Sequence, residues 1–299
     1  MLVRAALLAL ALPLLPSAAW KTRAPLPLAR SEVAAAALGT QVAVVGGFVA
    51  DGSSSATVDL YRTKTDTWTR APDLPAPVNH STAAVLGGRL VVAGGSGATR
   101  SAWVLANGRW RALPRVPAGR VAAGAAVLGG RLYVVGGVGD RGLARNALEL
   151  DVRRRRWRLV AGPTPREHLA VVAGQGRLYA LGGRTGGYDT NLATVESWRP
   201  GERRWRREPR LPEPRGGTGA AVLGARIVSV GGEAPEGTIR SVYVFDTRSR
   251  TWSRVGDLPR PRHGVGVATV AANVYVVGGG LQPGLSVSDA NDALCFARC

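Results

Sequence analysis

Ala83-Ala84-Val85-Leu86-Gly87-Gly88-Arg89-Leu90-Val91-Val92-Ala93-Gly94-Gly95 is two short apolar runs around a glycine turn, closed by a second glycine pair. The string returns almost letter for letter from Ala125 to Gly137. Short apolar runs bounded by glycine read as buried strands, and the turn between them as a hairpin. Working outward, Gly-Gly pairs also close apolar runs at Gly46-Gly47, Gly182-Gly183, Gly231-Gly232 and Gly278-Gly279, so first glycines are separated by 48, 42, 46, 49 and 47 residues. A tryptophan precedes each pair by 25 or 26 residues: Trp20, Trp68, Trp110, Trp157, Trp205 and Trp252.

A fixed period of this size marks units that cannot bury their own faces and must stack on copies of themselves. Beyond each glycine pair comes a variable loop, then a third run such as Val242-Tyr243-Val244-Phe245-Asp246, a polar turn and the tryptophan strand. Each unit therefore has four strands. Glycine at the end of the second strand tolerates positive φ and admits a neighbouring backbone or ring. The repeat tryptophan is the natural candidate, with apolar area enough to fill the gap between adjacent sheets. The first recognisable element is a lone tryptophan strand at Trp20, and the last unit stops at Cys299, where its own tryptophan should appear. Closure explains the displacement, because the Trp20 segment can supply the outer strand of the last unit and remove the open edges.

This order of an arginine after proline, an apolar strand, a Gly-Gly-ended strand, an aromatic strand and a tryptophan resembles the kelch repeat, from Trp20 to the C-terminus. The resemblance implies an all-β fold, a six-bladed β-propeller of four-stranded blades around a channel, with the last blade closed by the N-terminal strand. Residues 20–299 are then one domain. Residues 1–19 carry Arg4, an apolar stretch from Ala5 to Leu15 and a small-residue Ser17-Ala18-Ala19 ending, which reads as a secretory signal peptide. The apolar run is shorter than the roughly 20 residues a membrane span needs. The expected location is secreted or periplasmic, with no transmembrane segment after leader removal and a monomeric state. Cys295 and Cys299, the two cysteines, could pair if the tail curls.

The net charge of +19, from 39 basic and 20 acidic residues, suits an acidic protein, peptide or anionic glycan as partner. Runs such as Arg153-Arg154-Arg155-Arg156 stand in turns before outer strands, as solvated positions would. Nucleic acid is not expected, because binding it calls for a basic groove with stacking aromatics, and the repeat tryptophans belong to the core. Trp103 and Trp198, in third strands, are read as packing residues.

Sixteen positions before each glycine pair stand Arg30, Val78, Arg120, Arg166, Arg215 and Arg262. A ring of guanidiniums would make an anion-recognition surface; the alternative is that arginine after proline belongs to the repeat pattern and simply bonds blade-to-blade carbonyls. Kelch domains that capture acidic peptides use arginines resembling these. One or two positions further on come Glu32, His80, Glu167, His168 and His263, which include all three histidines of the chain. A metal ligand lies about 2 Å from its ion, whereas alternate blades should face each other across a wider channel, so no metal and no cofactor are expected. Arg184, Tyr188 and Asp189, on a glycine-rich loop after the fourth glycine pair, could close on a sugar or peptide.

No nucleophile with a partnered base, metal-ligand spacing or phosphate loop is evident, so the expected function is a non-catalytic interaction scaffold. The enzymatic alternative rests on architecture and leader alone: the chain looks like the periplasmic sialic-acid mutarotases, which are kelch propellers acting on a carboxylated sugar. Galactose oxidase shares the propeller, but its chemistry needs a cysteine cross-linked to tyrosine, and both cysteines here are terminal.

Overall fold

Alternation between two buried faces and glycine turns gives the chain strands of about five residues, and these assemble into sheets that none could form alone. The computed structural model describes residues 18–296. Six four-stranded antiparallel sheets follow one another. Blade 1 comprises Ala34–Leu38, Gln41–Val45, Val58–Arg62 and Thr67–Arg70, and blade 2 comprises Thr82–Leu86, Arg89–Ala93, Ala102–Ala106 and Arg109–Ala112. Blade 3 has Gly124–Leu128, Arg131–Val135, Asn146–Asp151 and Arg156–Ala161, and blade 4 has Ala170–Gly174, Arg177–Leu181, Val195–Trp198 and Arg206–Arg207. Blade 5 has Gly219–Leu223, Arg226–Val230, Ser241–Asp246 and Thr251–Asp257. Blade 6 has Gly266–Val270, Asn273–Val277 and Asn291–Cys295, and its outer strand is Ala19–Thr22 from the other end of the chain. Trp20 pairs with Leu294, so the predicted closure is present. Two short hairpins, Val138–Gly139 with Gly142–Leu143 and Glu233–Ala234 with Gly237–Thr238, and a 3₁₀ turn at Tyr188–Thr190 ornament one end. No helix among the described residues is long and apolar enough to cross a membrane.

Innermost strands of successive blades adjoin all the way round, with Gly266–Val270 of blade 6 returning to Ala34–Leu38 of blade 1. Six backbones crowding one axis leave little room for side chains, and apart from a leucine closing four of them these strands are built from Ala, Gly, Val and Thr, as in Ala34-Ala35-Ala36-Ala37. Away from the arginine end they line a channel of about 320 Å³ with alanine and valine. The second strands are covered on both faces: Val42, Val44 and Val45 are wholly buried, as are Val276 and Val277. Each such valine contributes roughly 1.5–3 kcal/mol. Core clusters lie between adjacent blades, as where Val228, Val230 and Val244 of blade 5 meet Val274, Val276 and Leu294 of blade 6. A blade removed from the ring would expose both faces.

The glycine pairs serve a contact different from the one expected. A Cβ on Gly94 would stand 2.5 Å from the backbone oxygen of Arg120 in the next blade, and the neighbouring Gly95 amide donates to that same oxygen at 2.8 Å. The bond recurs around the ring, from Gly47 to Val78, Gly137 to Arg166, Gly183 to Arg215, Gly232 to Arg262 and, across the closure, Gly279 to Arg30. The space that glycine leaves is filled by a carbonyl of the next blade, not by a tryptophan ring. The tryptophans join blades by another route: Trp68, Trp110, Trp157, Trp205 and Trp252 donate Nε1–H to the carbonyls of Ala24, Pro72, Pro114, Ala161 and Pro209 respectively, each in the link from the preceding blade or, at Ala161, at the end of that blade's outer strand. Trp103 and Trp198 are buried packing residues.

Residues 1–17, which carry most of the signal-peptide reading, lie outside the described residues, as does Cys299. Cys295 ends the third strand of blade 6 and is disulfide-bonded.

Candidate functional site

Two polar regions at the end where the chain enters each innermost strand carry the chemistry. The first begins with the arginines. Arg30, Arg166, Arg215 and Arg262 are wholly buried and Arg120 nearly so. Each guanidinium turns back into its own blade. Arg166 donates to the carbonyls of Gly182, Thr164 and Ala180 and to Glu196 at 2.5 Å. Arg30 bonds the carbonyls of Gly46 and Thr57 and the Asp59 carboxylate. Arg262 reaches Asp292 at 2.8 Å and the Val276 carbonyl, and Arg215 reaches Ser241 and Glu213. Burial pushes all five below the usual arginine range, Arg30 to about 10. Four of these side chains are therefore struts that tie the first three strands of a blade, and they present no anion-recognition ring. Val78 fills the same position in blade 2 and is wholly buried.

Two residues after each of these positions the backbone turns left-handed, at Glu32, His80, Ala122, His168, Gly217 and Gly264, with φ between 50° and 63°. Their amides and carbonyls form a circle. His80 donates to the Glu32 carbonyl, Ala122 to His80, His168 to Ala122, Gly217 to His168 and Gly264 to Gly217, and the Val33 amide completes the circuit to Gly264 at 3.3 Å. This constriction brings together what the period predicted to be far apart. The His80 and His168 rings meet edge to face with centroids 4.9 Å apart, and Glu32 Oε2 lies 3.3 Å from His80 Nε2. The expectation that alternate blades stand too far apart to share an ion fails on this geometry.

A second tier lies on the circle. The residue after each arginine position bridges to the residue after a glycine pair, which sets Glu167 beside Arg184 and His263 beside Gly280, with Gly216 beside Glu233. Arg184 donates to Glu233 at 2.7 Å and to Glu167 at 3.2 Å. His263 Nδ1 lies 3.1 Å from Glu32 Oε1 and 3.5 Å from Glu233 Oε2. Burial would raise the Glu32 carboxyl, but His80, His263 and His168 outweigh it and hold it well below the usual carboxylate range. Glu167 is likewise lowered, burial being outweighed by His168 and Arg184. Burial pushes His80 down despite Glu32, whereas at His263 the carboxylates of Glu32 and Glu233 overcome burial and raise it.

A strap from blade 6 covers this knot. The Gly284 amide donates to Glu233 Oε2 at 3.0 Å, Thr238 Oγ1 donates to the Leu281 carbonyl, and the Tyr188 hydroxyl borders Gly284. Tyr188 also lies against the Arg184 guanidinium, 4.8 Å from ring centroid to Cζ. Of the loop trio expected to close on a ligand, Arg184 is buried in ion pairs, Tyr188 is at the surface, and Asp189 is exposed apart from both. Glu233 is the member of the knot that sequence reasoning missed. Its place directly after a glycine pair, equivalent to that of Arg184, was the available signal.

The other region is a cleft of about 660 Å³ between blades 2 and 3. Arg100, Arg120, Arg141 and Arg145 line it with Asp140, Asn146 and Leu159. Arg100 pairs with Asp140 at 2.5 Å, while Arg141 and Arg145 are exposed and without an ion pair among the described residues. Leu159 is 59% exposed. Of the arginines singled out by spacing, Arg120 alone borders this cleft. The others come from the variable loop and third-strand entry that the repeat does not constrain.

Comparison with known proteins agrees with the architecture. The KLHDC2/KLHL20/DRC7 Kelch-repeats domain matches residues 124–297, and a Kelch motif matches residues 29–75. The chain is 30% identical over 240 residues to Kelch-like protein terF of Aspergillus terreus, an alignment covering 72% of this chain and 52% of that protein. It is 38% identical over 79 residues to Kelch-like protein 25 of Xenopus tropicalis, covering 26% of this chain and 13% of that protein. The chain thus spans about half the length of the first relative and less of the second. With a family match over more than half its length and blades that carry the motif in order, the chain belongs to the Kelch-repeat family.

Proposed function

We propose that this propeller is an exported, non-catalytic scaffold that docks an acidic segment of a partner protein in the cleft between blades 2 and 3. The observation that carries the reading is the cleft itself: two exposed guanidiniums, Arg141 and Arg145, without an ion pair among the described residues, beside an exposed Leu159. Its volume falls within the roughly 300–1,000 Å³ typical of ligand sites. Guanidiniums offer planar donor forks to carboxylates, and a bare leucine offers apolar contact, a pairing that suits a peptide better than a uniformly polar glycan. The family's generally protein-binding propellers and the net charge of +19 support the same reading. Export rests on the leader-like sequence of residues 1–19.

Support for the mutarotase alternative is weaker at the channel mouth. The cavity beside Glu32, His80 and His168 is about 140 Å³, small for a sugar acid, and the acids and bases around it engage one another.

Fluorescence anisotropy with a labelled peptide of alternating Glu and Leu, at physiological ionic strength, tests the proposal. Replacing Arg141 and Arg145 together by Ala should weaken binding at least tenfold and leave the unfolding midpoint unchanged. Equal affinity of the wild type and the double variant would reject the cleft. Preferential binding of a sulfated glycan would reject the peptide. Acceleration of sialic-acid anomer exchange, followed by NMR, would restore the enzymatic reading.

A further inference from the structure

The three histidines of the chain meet at the circle that closes the channel, although they come from blades 2, 4 and 6. Glu32, His80 and His168 each offer a ligand atom within 4.8 Å of the other two. Gly264 has no side chain on the circle, and the Glu32 carboxylate fills the space that a Cβ there would take. The cluster borders the cavity of about 140 Å³, large enough for an ion and a water.

Two of the three side chains, His80 and Glu32, are oriented from behind by hydrogen bonds. Asn79 donates its Nδ2 to Ser54 Oγ at 2.6 Å, which turns its carbonyl oxygen to His80 Nδ1, also at 2.6 Å. An amide oxygen only accepts, so His80 Nδ1 carries a hydrogen, and in the neutral imidazole Nε2 carries the lone pair. That lone pair faces Glu32 Oε2 at 3.3 Å, two acceptors in contact with no donor between them. Glu32 is held by its other oxygen, Oε1, on His263 Nδ1. His168 Nδ1 lies 3.2 Å from Glu167 Oε1 but off the hydrogen-bond direction, so it is buried without a hydrogen-bond partner among the described residues and the ring has a nitrogen to offer an ion. Imidazoles anchored through one nitrogen to a carboxylate or carbonyl, with the other nitrogen free, are the arrangement in which protein ligands hold metal.

We propose that Glu32, His80 and His168 form a binding site for a divalent transition ion of the zinc type at the closed end of the propeller channel. Ligands about 2 Å from a tetrahedral ion are about 3.3 Å from one another, the separation already present between Glu32 Oε2 and His80 Nε2. Two imidazoles and one carboxylate suit zinc or cobalt better than calcium or magnesium, which prefer oxygen alone. The fourth position opens on the cavity. The ion would join three blades at the axis and relieve the contact between the His80 lone pair and the Glu32 carboxylate. This site is separate from the docking cleft, and neither inference depends on the other.

The test uses the full mature chain without a histidine tag, freed of metal by chelation and titrated with Zn²⁺ or Co²⁺. One equivalent should bind, Co²⁺ should give the visible bands of a four-coordinate site, and long-range ¹H–¹⁵N spectra should show Zn²⁺ shifting the Nε2 resonance of His80 and a ring-nitrogen resonance of His168. His168→Gln, which keeps a polar side chain at the circle, should weaken binding at least tenfold, and H80A/H168A should abolish it. Circular dichroism in the absence of metal reports whether each variant is folded. Failure of the wild type to bind one equivalent would overturn the site. So would imidazole shifts confined to His263, or binding that survives in a folded H80A/H168A protein.

Discussion

At the scale of single residues, the chain shows how a repeated position can be found by counting while its role stays hidden. Arg166 sits sixteen residues before its glycine pair, as its equivalents do, yet the count says nothing about which way the guanidinium points. Arg166 binds three carbonyls and the buried carboxylate of Glu196. Substituting Ala leaves that carboxylate without its partner, and Arg166→Ala should cost about 3–5 kcal/mol in urea unfolding. Arg153→Ala, in the exposed turn of blade 3, should change stability by less than about 0.5 kcal/mol. A comparable loss at both positions would contradict the strut reading. The histidines teach the converse. Their convergence depends on the left-handed turn at Glu32, His80 and His168 and on the small residues at Ala122, Gly217 and Gly264. A repeat period gives angular phase around the axis but not radius, so the sequence left these side chains apart. Arg141 and Arg145 were obscure for a different reason, since they occupy a loop and a strand entry where the repeat imposes nothing.

At the scale of elements, the strands were legible because glycine turns and apolar runs coincide in phase across six copies. The partner of the glycine pairs was not. The motif tells that something approaches closely; only the neighbouring blade's position reveals a carbonyl rather than an indole. Two glycines with nearly equal φ separate these effects. Gly94, at φ 68°, faces the Arg120 carbonyl, whereas Gly130, at φ 71° in the exposed hairpin turn of blade 3, has nothing within 4 Å. Gly130→Ala should cost about 1–2 kcal/mol, the strain of a left-handed alanine. Gly94→Ala carries the same strain and also drives the blades apart at the amide bond from Gly95 to Arg120, so its cost should be at least twice as great. Thermal unfolding of the pair measures the difference, and equal midpoints would show that the inter-blade bond contributes nothing.

At the scale of the whole molecule, stability belongs to the ring, because the clusters that bury the second strands lie between blades. The ring is joined where Ala19–Thr22 pairs with Asn291–Cys295. There Trp20 packs against the cluster shared by blades 5 and 6, Thr22 donates its hydroxyl to Asp292 and Asn291 donates to the Ala24 carbonyl. Asn291–Cys295 is buried throughout, so losing its partner would convert a covered strand into an open edge. Displacement of the repeat register by one strand was enough to foresee this join from the sequence. The same join places Glu32, on the first segment into blade 1, against His263 at the start of blade 6, and so completes the knot at the mouth. Hydrogen exchange at residues 291–296, compared between a chain that includes Ala19–Thr22 and one beginning at Ala24, tests the closed ring most directly. The account predicts slow exchange in the chain that keeps this strand and at least tenfold faster exchange, with a lowered unfolding midpoint, in the shortened one; identical protection in both would contradict it.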